Sequence, residues 1–130
     1  MKTFYSPAHA GHATEPGSAV ELPERAETVR AEIESRGLGP VLAPQAFADE
    51  AILRVHPAEL MSAFRDASAG QAFDPDTPVF KGTYMAARAA VDVALSGAHE
   101  IKDGARAAFA LTRPPGHHAG AARPMGFFYF

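Results

Sequence analysis

The sequence predicts an α/β fold in which helices cover a parallel β-sheet. Short apolar segments with the length of strands alternate along the chain with longer segments of helical periodicity, and this alternation is typical of parallel sheets. The clearest strand is the apolar run at residues 105–112, which follows an alanine-rich helical segment. With 130 residues, of which 47% are apolar, the chain has the size and composition of one small globular domain.

Charge and composition exclude several classes of protein. The net charge is −3 and no basic stripe is present, so the electrostatic footprint of a nucleic-acid binder is missing. The absence of cysteine excludes disulfides and Cys-based zinc sites. The N-terminus lacks the apolar stretch of a signal peptide, and no run approaches the roughly 18 apolar residues of a membrane-spanning helix. We therefore expect a soluble, cytoplasmic protein without nucleic-acid or membrane partners.

The first part of the chain predicts a strand, a loop and a helix. Residues 2–5 have the length of a short edge strand, and residues 8–21 have no apolar period and indicate a loop. Residues 23–36 are predicted to be helical because their apolar residues recur at helical spacing. Pro23 suits the first turn of this helix, and Gly37 is placed to end it.

The middle of the chain predicts one more strand and three helices. Residues 41–43 suit a short strand, and Asp49 is placed to cap the short helix that follows. A second short helix is expected over residues 57–67 and, after a loop, a longer one over residues 83–96. Gly97 is the expected stop for that last helix.

The last residues of the sequence are strongly aromatic. Residues 127–130 read Phe-Phe-Tyr-Phe and directly follow a Met-Gly pair. Left bare at the edge of a sheet, four aromatic side chains would associate with another surface. This pattern predicts a domain that is truncated here, and it favours association into a homo-oligomer.

The residues after the apolar run carry the clearest chemistry. Ligands in open α/β sheets bind at the carboxyl ends of the strands, and the run ending near Thr112 delivers a loop with His117 and His118 to that edge. Two prolines fix their own φ in this loop and Gly116 widens the choice of backbone path, so both imidazoles can face one pocket. Paired imidazoles suit hydrolysis near neutral pH, because one can accept a proton from water and the other can donate one to the leaving amine.

Two segments together resemble the signature of the zinc-dependent deacetylase superfamily, which includes histone deacetylases and acetylpolyamine amidohydrolases. They are residues 113–119 (Arg-Pro-Pro-Gly-His-His-Ala) and residues 125–130, and the spacing between them fits as well. Residues 22–27, 53–60 and 74–79 resemble the family more loosely. The resemblance implies a three-layer arginase/deacetylase-like fold, a parallel sheet flanked by helices. Within it, the whole chain would be the N-terminal part of a single deacetylase domain.

The resemblance implies roles for several residues. His117 would be the general base, or share that task, and His118 would be the general acid or electrostatic partner. Gly126 and Phe127 would line the narrow tunnel for the acylated side chain. Arg25 would lie beside the internal cavity through which acetate leaves.

A rim carboxylate that binds substrate is implied as well, and either Asp74 or Asp76 fits; Asp76 is our choice, and the alternative stays open. The resemblance also implies Zn²⁺ as cofactor. The family's ligands, an Asp-x-His pair and a later Asp, lie downstream of the aromatic segment, as does a tyrosine that assists the carbonyl, so none is expected in this chain. Phe128 stands where family members often have cysteine.

The function implied is a zinc-dependent amide hydrolase acting on acetyl-lysine or acetylated polyamines. The alternative is a non-catalytic remnant or interaction module that has lost the metal site, so the residues alone leave open whether the chain is an enzyme. His9 and His12 are three apart in a loop, and we expect exposure or contact with the substrate rim for them. We expect Glu21, Glu24 and Glu27 to belong to a solvated helix start.

Overall fold

The computed structural model describes residues 1–12, 21–126 and 128–130. These residues form three strands, four α-helices and one 3-10 helix. In chain order the elements are β1 (Lys2–Tyr5), the 3-10 helix (Pro7–Gly11), α1 (Pro23–Ser35), β2 (Val41–Leu42), α2 (Glu50–Leu53), α3 (Ala58–Asp66), α4 (Thr83–Lys102) and β3 (Ala108–Leu111). In the described part of the chain, no helix is long and apolar enough to cross a membrane.

The three strands form a parallel sheet in the order β2-β1-β3. Thr3 of β1 lies opposite Val41 on one side and Phe109 on the other. The parallel α/β sheet predicted from the sequence is therefore confirmed, but the prediction that β1 is an edge strand is wrong. The chain crosses over to one side of β1 and later to the other, and a local sequence pattern does not record that order. The carboxyl ends of all three strands share one edge of the sheet.

Helix α1 begins and ends as its sequence predicts. Pro23 is its first residue, where a missing N–H costs no hydrogen bond. Gly37 follows the end of the helix with a φ of +61°, and the N–H of Leu38 donates to the carbonyl of Ile33 at 3.0 Å. This is the usual hydrogen-bond pattern of a glycine-ended helix, in which a left-handed residue satisfies the last carbonyl groups.

Helix α4 is longer than predicted, because it passes through Gly97 and ends at Lys102. Gly97 is buried against β3, where a Cβ atom would lie 3.7 Å from the Cβ of Ala110. The glycine that ends the helix is Gly104, with a φ of +99°, and the N–H of Ala105 returns to the carbonyl of Glu100 at 3.1 Å. Gly97 therefore serves the packing of the helix on the sheet, and the predicted end was wrong.

Two further expectations change in the structure. Asp49 is already helical in its backbone and makes no capping hydrogen bond; its carboxylate lies 3.4 Å from Arg65 and from Arg88. Tyr129, from the aromatic end, is fully buried and stacks on Phe64 with a centroid distance of 5.1 Å. Tyr129 therefore belongs to the core rather than to a bare aromatic edge.

Candidate active site

The loop after β3 reaches the aromatic end of the chain at the carboxyl edge of the sheet. The peptide bond between Arg113 and Pro114 is cis. A Cβ atom on Gly116 would lie 1.8 Å from the carbonyl oxygen of Phe130, so only glycine allows the two backbones to come this close. This contact places the histidines that follow Gly116 next to the aromatic segment.

The histidine pair forms one cluster with Phe128. The ring centroids of His117 and His118 are 4.3 Å apart, and the Phe128 ring lies edge-on to them at 4.7 and 4.8 Å. Both imidazoles are exposed. His117 also lines a cavity of about 490 Å³ at the end of β3. The structure thus brings the two predicted side chains together at the strand end, and it leaves them open to solvent.

A third histidine, His56, lines the same cavity as His117. Its side chain is buried, its Nδ1 lies 2.9 Å from the carbonyl oxygen of Ala121, and its ring lies 5.5 Å from that of Phe130. The rest of the cavity wall is mostly apolar and comes from α2, α4 and the loop after β3. The sequence pattern does not reveal these contacts, because the partners of His56 lie 65 or more residues further along the chain.

Gly126 belongs to a tight turn next to the histidine pair. It has a φ of +55°, and on either side of it Met125 and Phe128 exchange two backbone hydrogen bonds of 3.0 Å. The N–H of Gly126 donates to the carboxylate of Asp74 at 3.3 Å. Phe127, the second predicted tunnel residue, lies outside the described residues.

Of the two candidate rim carboxylates, Asp74 contacts this turn. Its Oδ1 accepts hydrogen bonds from the Thr77 hydroxyl at 2.6 Å and from the N–H of Asp76 at 3.0 Å. These bonds, the Thr77 hydroxyl first, lower the pKa of the Asp74 carboxyl. Asp76 is exposed, and its substrate-binding role stays a prediction.

Arg25 is exposed on α1 and does not line the cavity beside His117. Its positive charge, after that of Arg113, opposes the effect of burial on the pKa of Glu21. The acetate-cavity role of Arg25 stays a prediction.

The predicted exposure of His9 and His12 is wrong. Only 3% of His9 and 2% of His12 are exposed. The Nε2 of His9 lies 2.9 Å from the Glu27 carboxylate, and hydrogen bonds from Tyr5 and His9 lower the pKa of that carboxyl to about 2. The Nδ1 of His12 lies 2.9 Å from the Thr83 hydroxyl. These partners come from other elements, and the spacing of the histidines could not show them.

A buried ion pair between Arg113 and Glu21 anchors the loop that carries the histidines. The guanidinium lies 2.8 Å from the Glu21 carboxylate and donates to two carbonyl oxygens, that of His9 at 2.8 Å and that of Glu21 at 3.0 Å. Burial lowers the pKa of Arg113 and raises that of Glu21. Glu21 was expected at a solvated helix start, and its burial beside Arg113 corrects that expectation.

The zinc ion that the resemblance implies would need several metal-binding side chains close together. Within residues 1–12, 21–126 and 128–130, no three His, Cys, Asp or Glu side chains come together in a way that could hold a metal ion. The described residues therefore do not form a zinc site by themselves.

The buried His12 predicts acid sensitivity. Burial, and then the charge of Arg113, lowers the pKa of His12 from 6.5 to about 4. Between these two pH values the unfolded chain binds a proton that the folded protein excludes, so stability is lost as the pH falls from 6.5 to 4. The full loss corresponds to roughly 3 kcal/mol. Urea unfolding of the wild type and of His12→Asn at pH 7, 5.5 and 4 should show a weaker pH dependence in the variant.

The exposed His99 on α4 provides the control for this measurement. His99→Asn should keep the pH dependence of the wild type. If His12→Asn also kept it, His12 would not be the group responsible.

The histone deacetylase domain family matches residues 19–130 of this sequence. The chain belongs to this family. Acetylpolyamine amidohydrolase 1 of Pseudomonas aeruginosa is a relative with 34% identity over 84% of this chain and 42% of its own length. The histone deacetylase-like amidohydrolase of the same organism is 36% identical over 95% of this chain and 32% of its own length. This member of the family therefore spans well under half the length of these curated relatives.

Solved structures confirm the deacetylase fold. The acetylpolyamine aminohydrolase from Burkholderia pseudomallei superposes with a TM-score of 0.84 and 27% identity, over 100% of this chain and 49% of that one. The HD domain of HDA15 superposes with a TM-score of 0.85 and 26% identity, over 98% of this chain and 39% of that one.

Proposed function

We propose that this protein is a deacetylase-type amide hydrolase that acts on acetylated polyamines or acetyl-lysine, with His117 and His118 as its acid–base pair. The observation that carries the proposal is the cluster of the two imidazoles at the carboxyl end of β3, 4.3 Å apart and beside a cavity. Relatives named as acetylpolyamine amidohydrolases support the choice of substrate class.

The two histidines would divide the proton transfers. His117 lines the cavity, so we assign it the proton of the attacking water, and we assign His118 the proton that the leaving amine nitrogen needs. Imidazole suits both tasks because its charge changes between about pH 5 and 8. The ring of Phe128 lies edge-on to both imidazoles, so a change at this position would alter the space beside each of them. A bound zinc would polarise the acetyl carbonyl, and its ligands would come from outside the described residues.

The proposed substrates share an acetamide at the end of a chain of methylene groups. The mostly apolar wall of the cavity supports this class, because methylene groups bind where they leave water. Gly126, without a side chain, and the predicted aromatic wall at Phe127 would admit such a narrow chain and exclude bulky ones.

The test starts with the coding DNA beyond the codon for Phe130. A reading frame that continues to an Asp-x-His motif should encode a protein that hydrolyses acetylputrescine or an acetyl-lysine peptide. This hydrolysis should stop after thorough chelation and return with Zn²⁺. Hydrolysis that survives chelation would contradict the proposed chemistry.

The 130 residues by themselves serve as the matched comparison. We expect no zinc-dependent hydrolysis from them, because the described residues bring no three metal-binding side chains together. Turnover by these 130 residues alone would contradict that expectation. A reading frame that ends without the Asp-x-His motif would favour the alternative, a non-catalytic remnant or interaction module that has lost the metal site.

A further inference from the structure

The carboxylate of Asp74 links two turns near the histidine pair, one over residues 74–77 and one over residues 125–128. Within the first turn, Oδ1 of Asp74 accepts hydrogen bonds from the hydroxyl of Thr77 and from the N–H of Asp76. Thr77 is fully buried, so water does not compete for the hydrogen bond that its hydroxyl donates. Oδ2 is left to accept the N–H of Gly126 from the second turn. Hydrogen bonds to an ionised acceptor are stronger than neutral ones, which makes Asp74 an effective link between the turns.

The second turn ends at Phe128, whose ring contacts both imidazoles. Phe128 closes the turn through its backbone and presents its ring to His117 and His118 at 4.7 and 4.8 Å. The resemblance places cysteine at this position in many family members, and a thiol has no ring edge that could reach two imidazoles. The turn fixes the backbone of Phe128. The hydrogen bonds that hold the turn therefore also set the position of the ring beside both histidines.

We propose that Asp74 and Phe128 form a brace that orients the two imidazoles. The inference deepens the proposed function and rests on it. Asp74 acts as a positioning residue: its contacts are Thr77, Asp76 and Gly126, and its effect reaches the histidines only through Phe128. Loss of the carboxylate should therefore loosen the ring from both imidazoles at once.

Histidine ring signals in NMR spectra of the labelled protein provide a test that needs no activity. Phe128→Leu should move the ring signals of His117 and His118, because it removes the aromatic ring beside them. Asp74→Ala should move the same signals in the same direction. Asp76→Ala, the matched control two residues away, should leave them at their wild-type positions.

An Asp74→Ala variant that stays folded with both signals at their wild-type positions would overturn the brace. If that variant does not fold, Thr77→Val decides, since it keeps the carboxylate and removes one of its anchors. It should move the two signals less than Phe128→Leu does, and unchanged signals would again overturn the inference. These NMR measurements do not require hydrolysis. The brace can therefore be refuted while the proposed function stands, and the proposed function can be refuted while the brace stands.

Where hydrolysis is measured, steady-state kinetics provide a second test of the positioning role of Asp74. A positioning role predicts that Asp74→Ala lowers kcat by roughly tenfold or more and changes KM less, because misplaced acid–base groups slow the chemical step. A rise in KM with an unchanged kcat would show that Asp74 contacts the substrate, which would overturn the positioning role.

Discussion

Replacing His118 by alanine is expected to lower the turnover of acetylated polyamine by roughly a hundredfold or more, the usual loss when a positioned acid–base group is removed. The same substitution at His117 should cost a similar amount. In the proposed roles each imidazole transfers a different proton, so neither is expected to replace the other; their ring centroids lie 4.3 Å apart at the end of β3. The assay uses the protein that hydrolyses acetylputrescine, with folding checked by circular dichroism.

The pH profile of kcat/KM separates the two roles. A general base must be deprotonated, so loss of the base at His117 should flatten the acidic limb. A general acid must be protonated, so loss of the acid at His118 should flatten the alkaline limb. His99→Ala, on the exposed side of α4, should leave turnover and both limbs as in the wild type. Near-normal turnover of His118→Ala would remove the role assigned to it.

Replacing Arg113 by methionine is expected to reduce the free energy of unfolding by about 3–5 kcal/mol, as is typical when one partner of a buried ion pair is removed. Only 3% of Arg113 is exposed, and the change would remove the guanidinium that lies 2.8 Å from the largely buried carboxylate of Glu21. The carbonyl oxygens of His9 and Glu21 would each also lose one hydrogen bond. Urea unfolding at pH 7 measures the loss.

Arg36 offers a matched comparison on the surface. It pairs with Glu32 at 2.6 Å, but both side chains are more than half exposed, and such pairs contribute about 1 kcal/mol or less. Arg36→Met should therefore cost far less than Arg113→Met, and Arg113→Lys should fall between them because an ammonium cannot replace all the guanidinium contacts. Equal losses for the two methionine variants would show that the Arg113 pair does not anchor the fold.

Features that depend on neighbouring residues were predictable. The α/β class follows from the alternation of segments, and Pro23 and Gly37 mark the ends of α1 because capping acts within one turn of a helix. The histidine pair was found because His117 and His118 stand in a specific motif directly after a strand. The comparisons confirm the family and fold that this motif implied.

Features that depend on distant residues were missed or predicted wrongly. Gly97 has the sequence context of a helix stop, yet packing against β3 keeps it inside α4. His12 lies in a polar segment, yet its Thr83 partner is 71 residues away and its ring is buried. The sequence pattern does not distinguish Asp74 from Asp76, and only the structure shows that Asp74 accepts the N–H of Gly126. Which of the two binds substrate stays a prediction.

The sequence by itself determined the class of fold, the ends of α1 and the pair of imidazoles, because each follows from residues within a few positions of one another. Only the tertiary structure decided which polar groups are buried and paired, as for Arg113 with Glu21. The physical reason is that a charge or an imidazole is stable in the interior only beside a partner, and the partner is brought there by the crossovers of the chain.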